Sequence, residues 1–233
     1  MSSAGTNGTD LTSTLTTQGD ILYRDGSGLV RLGAGTSGQV LQTGGAGANP
    51  SWIDASGGGL VYLATATGSN VSSISLDGYF TSDYTHYKVF YSTVPNTNNT
   101  DSVMRFRQSN ADVTSSIHYY AGINTYITSS ASNTENSGNW GTSRFQISSS
   151  DQTSNAAYPT TGEMVIYNAL STTQHKTFTT NNLGYNSGAT STAVRNHNFA
   201  GWFQNTNPIS GFTFFYEGGN ITGTLYLYGI KNS

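Results

Sequence analysis

From Leu60 to the C-terminus the chain is a succession of short segments in which polar and apolar residues alternate, separated by turns of Gly, Ser, Thr, Asn and Asp. No window carries the 3.6-residue period of an amphipathic helix, and helix formers such as Glu, Lys and Ala are scarce. A period of two sends successive side chains to opposite faces of a strand, so such a chain has to build sheets. The predicted strands are 60–67, 71–76, 86–94, 103–108, 116–127, 144–148, 163–168, 175–180, 195–204, 212–217 and 224–230. Met104 and Phe106 should point inward while Arg105 and Arg107 point out, and Phe212, Phe214 and Tyr216 share one face. Leu225 and Leu227 oppose Tyr226 and Tyr228, which makes both faces of the last strand apolar and predicts a central strand. Roughly ten strands over about 170 residues fit an all-β, two-sheet sandwich. We read it as jelly-roll-like, although the pattern fits other Greek-key orders equally well.

The front of the chain reads differently. Between Thr16 and Trp52, apolar runs at 21–23, 29–32 and 39–42 alternate with glycine turns, the signature of consecutive small hairpins. Such a ribbon has two open edges and almost nothing to bury, so alone it should not fold. It needs another copy of itself or another surface. The expected organisation is a polar N-terminal arm (1–18), which alone should be disordered, a hairpin module (19–56), a glycine linker (57–59) and the sandwich (60–233).

Several turns and spacings of this module recur together: Gly19-Asp20, Arg24-Asp25-Gly26, Leu32-Gly33, the GTSGQVL run from Gly35 to Leu41, and Pro50-Ser51-Trp52. Over about 37 residues it resembles a hairpin module of tail-fibre and other virion structural proteins of tailed bacteriophages, especially marine and cyanobacterial ones. The ending GNITGTLYLYGIK (Gly219 to Lys231) resembles the last strand of phage jelly-roll fibre domains, and DYTHYKVFY (Asp83 to Tyr91) resembles an early strand of the same domains. The resemblance implies a trimeric component of the virion surface and brings no catalytic residues. In that reading Ile21, Tyr23, Leu29, Leu32, Val40, Leu41 and Trp52 serve trimerisation or docking in an intertwined homotrimer. The partners are other copies of the chain and phage capsid or tail proteins.

Composition sets limits on the function. Only 9% of residues are charged and the net charge is −3, so no basic footprint for nucleic acid exists. No apolar run approaches the ~18 residues that span a bilayer as a helix, and the first residues have neither the basic nor the apolar region of a secretory signal. The absence of cysteine excludes disulfides and thiolate metal sites.

The glycines Gly33, Gly35 and Gly38 satisfy GxGxxG, but residues 39–43 continue as a strand, and a dinucleotide site needs a helix there. They read as turns. His86, His118, His175 and His197 form no metal-binding pair, no clustered acids suit calcium, and no GxSxG elbow occurs. The acids are too isolated to indicate a glycosidase pair. We therefore expect no enzyme, no metal and no cofactor. The Asn-x-Ser/Thr triplets at Asn7, Asn70, Asn98 and Asn220 are those chance produces in such a composition. Tyr119, Tyr120, Trp140, Tyr158 and Tyr185 lie in or near polar stretches, where aromatic faces beside amides contact host-surface glycans or pave a subunit interface.

Overall fold

The computed structural model describes residues 11–55, 59–127, 131–148, 152–185 and 194–231. Of the expected arm, residues 1–10 lie outside these, as do Gly57 and Gly58 of the expected linker. The chain divides into two compact units, Met1–Gly57 and Gly58–Ser233.

In the first unit a single helical turn (Leu11–Thr14) precedes two hairpins, β1 (Ile21–Arg24) with β2 (Leu29–Leu32), and β3 (Gln39–Gln42) with β4 (Ser51–Asp54). Asp25 closes the first turn by accepting from the amides of Ser27 and Gly28 at 2.7 and 2.8 Å, an Asx turn. Asp20 ties the unit together. Its carboxylate accepts from the amides of Thr16, Thr17 and Ala34 and pairs with Arg31 at 2.7 Å. Desolvation pushes its pKa up, but the Arg31 guanidinium and the Thr17 and Thr16 amides outweigh it, and the carboxyl titrates below its ordinary value.

Trp52 joins the hairpins. Its indole N–H donates to Gly33 O at 2.7 Å, and its ring lies where a side chain at Gly35 would sit, 2.7 Å from an added Cβ. Gly38 has φ +89°, which only glycine adopts freely. Each glycine of the GxGxxG match therefore has a local structural task.

The second unit holds two antiparallel sheets. Its strands are β5 (Leu60–Val71), β6 (Ile74–Asp77), β7 (Tyr84–Pro95), β8 (Ser102–Gln108), β9 (Ala111–Asp112), β10 (His118–Ile127), β11 (Ser132–Thr142), β12 (Phe145–Gln146), β13 (Thr160–Tyr167), β14 (Lys176–Tyr185), β15 (Val194–Phe203), β16 (Gly211–Tyr216) and β17 (Ile221–Lys231). The large sheet runs β11-β10-β15-β14-β13-β7-β17-β5, and the small one β12-β8-β16-β6 with β9 beside β8. Without β10–β11 and β14–β15, the orders are β5-β17-β7-β13 and β6-β16-β8-β12. Along the chain the remaining strands switch between the sheets as a jelly roll does, the first beside the last in one sheet and the second beside the second-to-last in the other. The unit is thus an all-β sandwich with jelly-roll strand order. Two inserted hairpins widen its large sheet.

The sheets meet over one core. The large sheet supplies Tyr87, Val89, Tyr91, Met164, Ile166, Phe178, Phe203, Leu225 and Leu227, and the small sheet Ile74, Leu76, Met104, Phe106, Phe145, Phe212, Phe214 and Tyr216. The alternation read from residues 104–107, 212–216 and 225–228 is realised in this core. As expected, β17 lies between β7 and β5 with Leu225 and Leu227 inside and Tyr226 and Tyr228 outside. β11 departs from the expected strands: SNTENSGNWGT is almost entirely polar, yet it pairs with β10 along its length. It lies at the sheet edge, where backbone pairing on one side and solvent on the other leave no apolar period to read.

Candidate functional site

The inserted hairpins make a groove on the outer face of the large sheet. The registers of β14, β15, β10 and β11 align Thr179, Ala200, Ala121 and Gly138 in one row across the four strands. These side chains are short, so the row forms a floor.

On one side of the floor stands a row of rings. Tyr119 lies opposite Trp202 in the β10–β15 pairing, their ring centroids 4.8 Å apart. Trp140 of β11 meets Tyr119 edge to face at 5.0 Å, and His175 lies 5.2 Å from Trp202. The Tyr119 hydroxyl donates to Gln204 Oε1 at 2.7 Å, which fixes that ring. A register irregularity between His118 and Tyr120 lets β11 bring Trp140 to this row. Trp140 remains 81% exposed. With Tyr119 and Trp202 it forms a contiguous row of aromatic rings at the surface, a feature of binding surfaces.

On the other side, the row Asn181, Asn198, Ile123 and Asn136 presents three amides. Asn196, two residues from Asn198, accepts from the Asn198 amide at 3.4 Å. The groove comprises adjoining hollows of about 430 and 610 Å³ that share Ala121, Thr179 and Ala200. A neighbouring hollow of about 510 Å³, lined by Phe90, Glu163, Asn181, Leu183 and Asn196, lies beyond the amides. Glu163 is paired there with Lys88 at 2.8 Å.

No family model, curated protein or solved structure matches the chain.

Of the aromatic residues singled out in the sequence, Tyr119 and Trp140 meet in the groove wall. Tyr120 has the opposite strand phase, and its ring packs against the core. Tyr158 and Tyr185 pack on one another with tilted rings, centroids 5.1 Å apart, and Tyr185 lies six residues along β14 from Thr179. Trp202 and the amides were not singled out. The outward phase of residues 195–204, with Trp202 between the inward Gly201 and Phe203, is the signal that would have found them.

In the first unit, no residue among 13–55 is buried. Leu29, Val40 and Leu41 are about half exposed, while Ile21, Tyr23, Leu32 and Trp52 are partly covered. Val40 and Leu41 point to opposite faces of β3, so both faces of the second hairpin present apolar side chains.

The remaining charges are largely paired. On the outer face of the small sheet Arg107 bridges Asp77 at 2.5 Å and Asp112 at 2.6 Å, Arg105 lies over Phe215, and Arg144 pairs with Glu217. No group of three His, Asp or Glu side chains that could hold a metal occurs among the described residues. Among them, too, no helix is long and apolar enough to cross a membrane.

Proposed function

We propose that the protein is a non-enzymatic structural component of a tailed-phage virion surface, a homotrimeric fibre or capsid-decorating protein. The N-terminal unit holds the copies together and to capsid or tail proteins, and the jelly roll projects outward. It needs no cofactor, binds no nucleic acid and does not insert into a membrane. The observation that carries this reading is the N-terminal unit, an ordered pair of hairpins in which no residue among 13–55 is buried. With four-residue strands and no buried residue among 13–55, such a unit draws its stability from association, and Leu29, Val40 and Leu41 are the side chains that association would cover. The resemblance of residues 16–52 to phage fibre modules supplies the virion context.

Light scattering on the whole chain tests the assembly. A trimer has three times the 24.7 kDa chain mass. A monomer at micromolar concentration overturns the architecture. Antibody labelling of particles tests the location.

The second reading is a receptor-binding adhesin that recognises host-surface glycans. The groove beside Trp140 favours it. Among the described residues, Glu163 is the only carboxylate lining the groove and its neighbouring hollow, and it is ion-paired, so these residues offer no facing pair of acids of the kind a glycosidase uses.

A further inference from the structure

We infer that the groove across β14, β15, β10 and β11 is a binding site for an uncharged oligosaccharide. The rings of Trp140, Tyr119 and Trp202 take the C–H face of a sugar, and the amides of Asn198, Asn136 and Asn181 take its hydroxyls. This deepens the adhesin reading. Its biological setting rests on that reading, but the binding is a property of the chain itself.

The groove matches a sugar ring in three respects. A pyranose has an apolar face and a polar rim, and the groove has one aromatic wall and one amide wall across a floor of short side chains. Aromatic faces attract C–H groups, while amides donate and accept at once as a hydroxyl requires. Charge is the second respect. Among the described residues no Lys, Arg, Asp or Glu lines the two hollows of the groove, and Glu163 in the neighbouring hollow is held by Lys88. A sulfated or sialylated chain would meet no cationic partner among the described residues that line the groove, whereas an uncharged one needs none.

The third respect is size. Hollows of about 430 and 610 Å³ fall in the range of small-ligand pockets, and a strand spacing of about 4.8 Å makes the four-strand floor roughly 14 Å across. A short run of sugar rings fits this length. A second protein chain needs a larger and flatter apolar surface.

The wall is also preorganised. Tyr119 is held by Gln204 and wedged between Trp140 and Trp202, so ligand binding need not order it.

The test is an array of neutral oligomers of glucose, galactose, mannose and N-acetylglucosamine, with sialylated and sulfated counterparts, probed with the whole chain. The best neutral oligomer is then titrated by calorimetry. The wild type should bind a neutral oligomer in preference to its anionic counterpart. Trp140→Ala should weaken binding roughly tenfold or more, Trp140→Phe should restore most of it, and Asn198→Ala should weaken it several-fold. Trp140 is exposed, so its loss should leave the fold and the mass in solution unchanged.

Three results overturn the inference: no neutral oligomer bound, binding indifferent to both Trp140→Ala and Asn198→Ala, or a fall in oligomeric mass on Trp140→Ala. The last would make the groove a contact between copies. A trimeric wild type that binds no sugar would sink the site and leave the virion reading standing. A sugar-binding monomer would do the reverse.

Discussion

Two buried histidines should make the jelly roll sensitive to mild acid. His118 packs on the rings of Phe145 and Phe203, at 4.6 and 5.0 Å. Its Nδ1 donates toward the carbonyls of Ser115 and Thr142, and its Nε2 is buried with no hydrogen-bond partner among the described residues. His197 is held by a chain of side chains. Thr160 donates to Gln152 Oε1, which turns the Gln152 amide N–H toward His197 Nε2, and His197 Nδ1 then donates to Asn124 Oδ1 at 2.7 Å. A proton added at His118 Nε2 would have no acceptor among the described residues, and one added at His197 Nε2 would face the Gln152 N–H donor. Desolvation therefore lowers both pKa values from 6.5 to about 4; Arg195 adds to this at His197, and the Ser115 and Thr142 carbonyls oppose it at His118.

The sign follows from proton uptake. Both folded-state values lie below the unfolded one, so the unfolded chain binds more protons between pH 6.5 and 4, and stability is lost as pH falls through that window. From pH 7 to pH 5 each histidine removes about 2 kcal/mol, and by pH 4 about 3. The pair together removes a large share of a typical 5–15 kcal/mol stability. Urea unfolding at pH 7, 6 and 5 and fixed protein concentration reads the loss, and the histidine ring-proton shifts read the two pKa values directly. His197→Gln should be less stable at pH 7 yet lose only about half as much between pH 7 and 5. Ring protons of His118 and His197 titrating near 6.5, or a wild-type loss below about 1 kcal/mol, would refute the reasoning.

Three further outcomes are expected. Gly201→Ala would place a Cβ 2.3 Å from the Phe178 ring and 2.7 Å from the Tyr119 carbonyl, so it should cost about 1–3 kcal/mol and lower Tm by several degrees in calorimetry. Lys176→Met should cost at least about 1–3 kcal/mol in urea unfolding, because the buried ammonium donates to the carbonyls of Ser171 and Thr206, and methionine leaves both without it. Asp20→Ala removes the acceptor shared by Thr16, Thr17, Ala34 and Arg31, so limited proteolysis should cut the first unit faster while the unfolding midpoint of the jelly roll stays fixed.

The sandwich was legible in the sequence because its core strands bury one face. Phe212, Phe214 and Tyr216, or Met104 and Phe106, print the period of two directly onto the chain. Strand lengths were less legible. β14 continues to Tyr185, five residues past its expected end at 180, because its inward positions there are Asn182 and Gly184 rather than apolar residues. Asn182 donates to Ile147 O at 2.6 Å, and Gly184 leaves room for Gln152 and His197. Polar residues that are buried because they are bonded look from sequence like surface. The same substitution of hydrogen bonding for apolar burial hides the strand phase of Asn124 and His197.

The groove escaped for a related reason. Each of its walls needs strands that are distant in sequence: Tyr119 and Trp140 come from β10 and β11, at the end of that hairpin away from its turn, while Trp202 and Asn198 come from β15, which pairs with β10 across about 80 residues. Trp140 sits on β11, the strand with no apolar period. That combination has a physical logic. An edge strand of an inserted hairpin owes its position to backbone pairing with β10. Its outward side chains lie outside the sandwich core and can vary without unfolding it. The jelly-roll strands hold the floor in register, and β11 sets one end of the wall. Changes of specificity should therefore collect at positions 132–142 and at the outward residues of β15, while β7, β13 and β17 beneath the core tolerate little. A library randomised at Asn136, Asn139 and Trp140 should retain wild-type thermal stability in most members while its sugar preferences diverge. If most members instead unfolded at lower temperature, β11 would be part of the scaffold and not an adjustable wall.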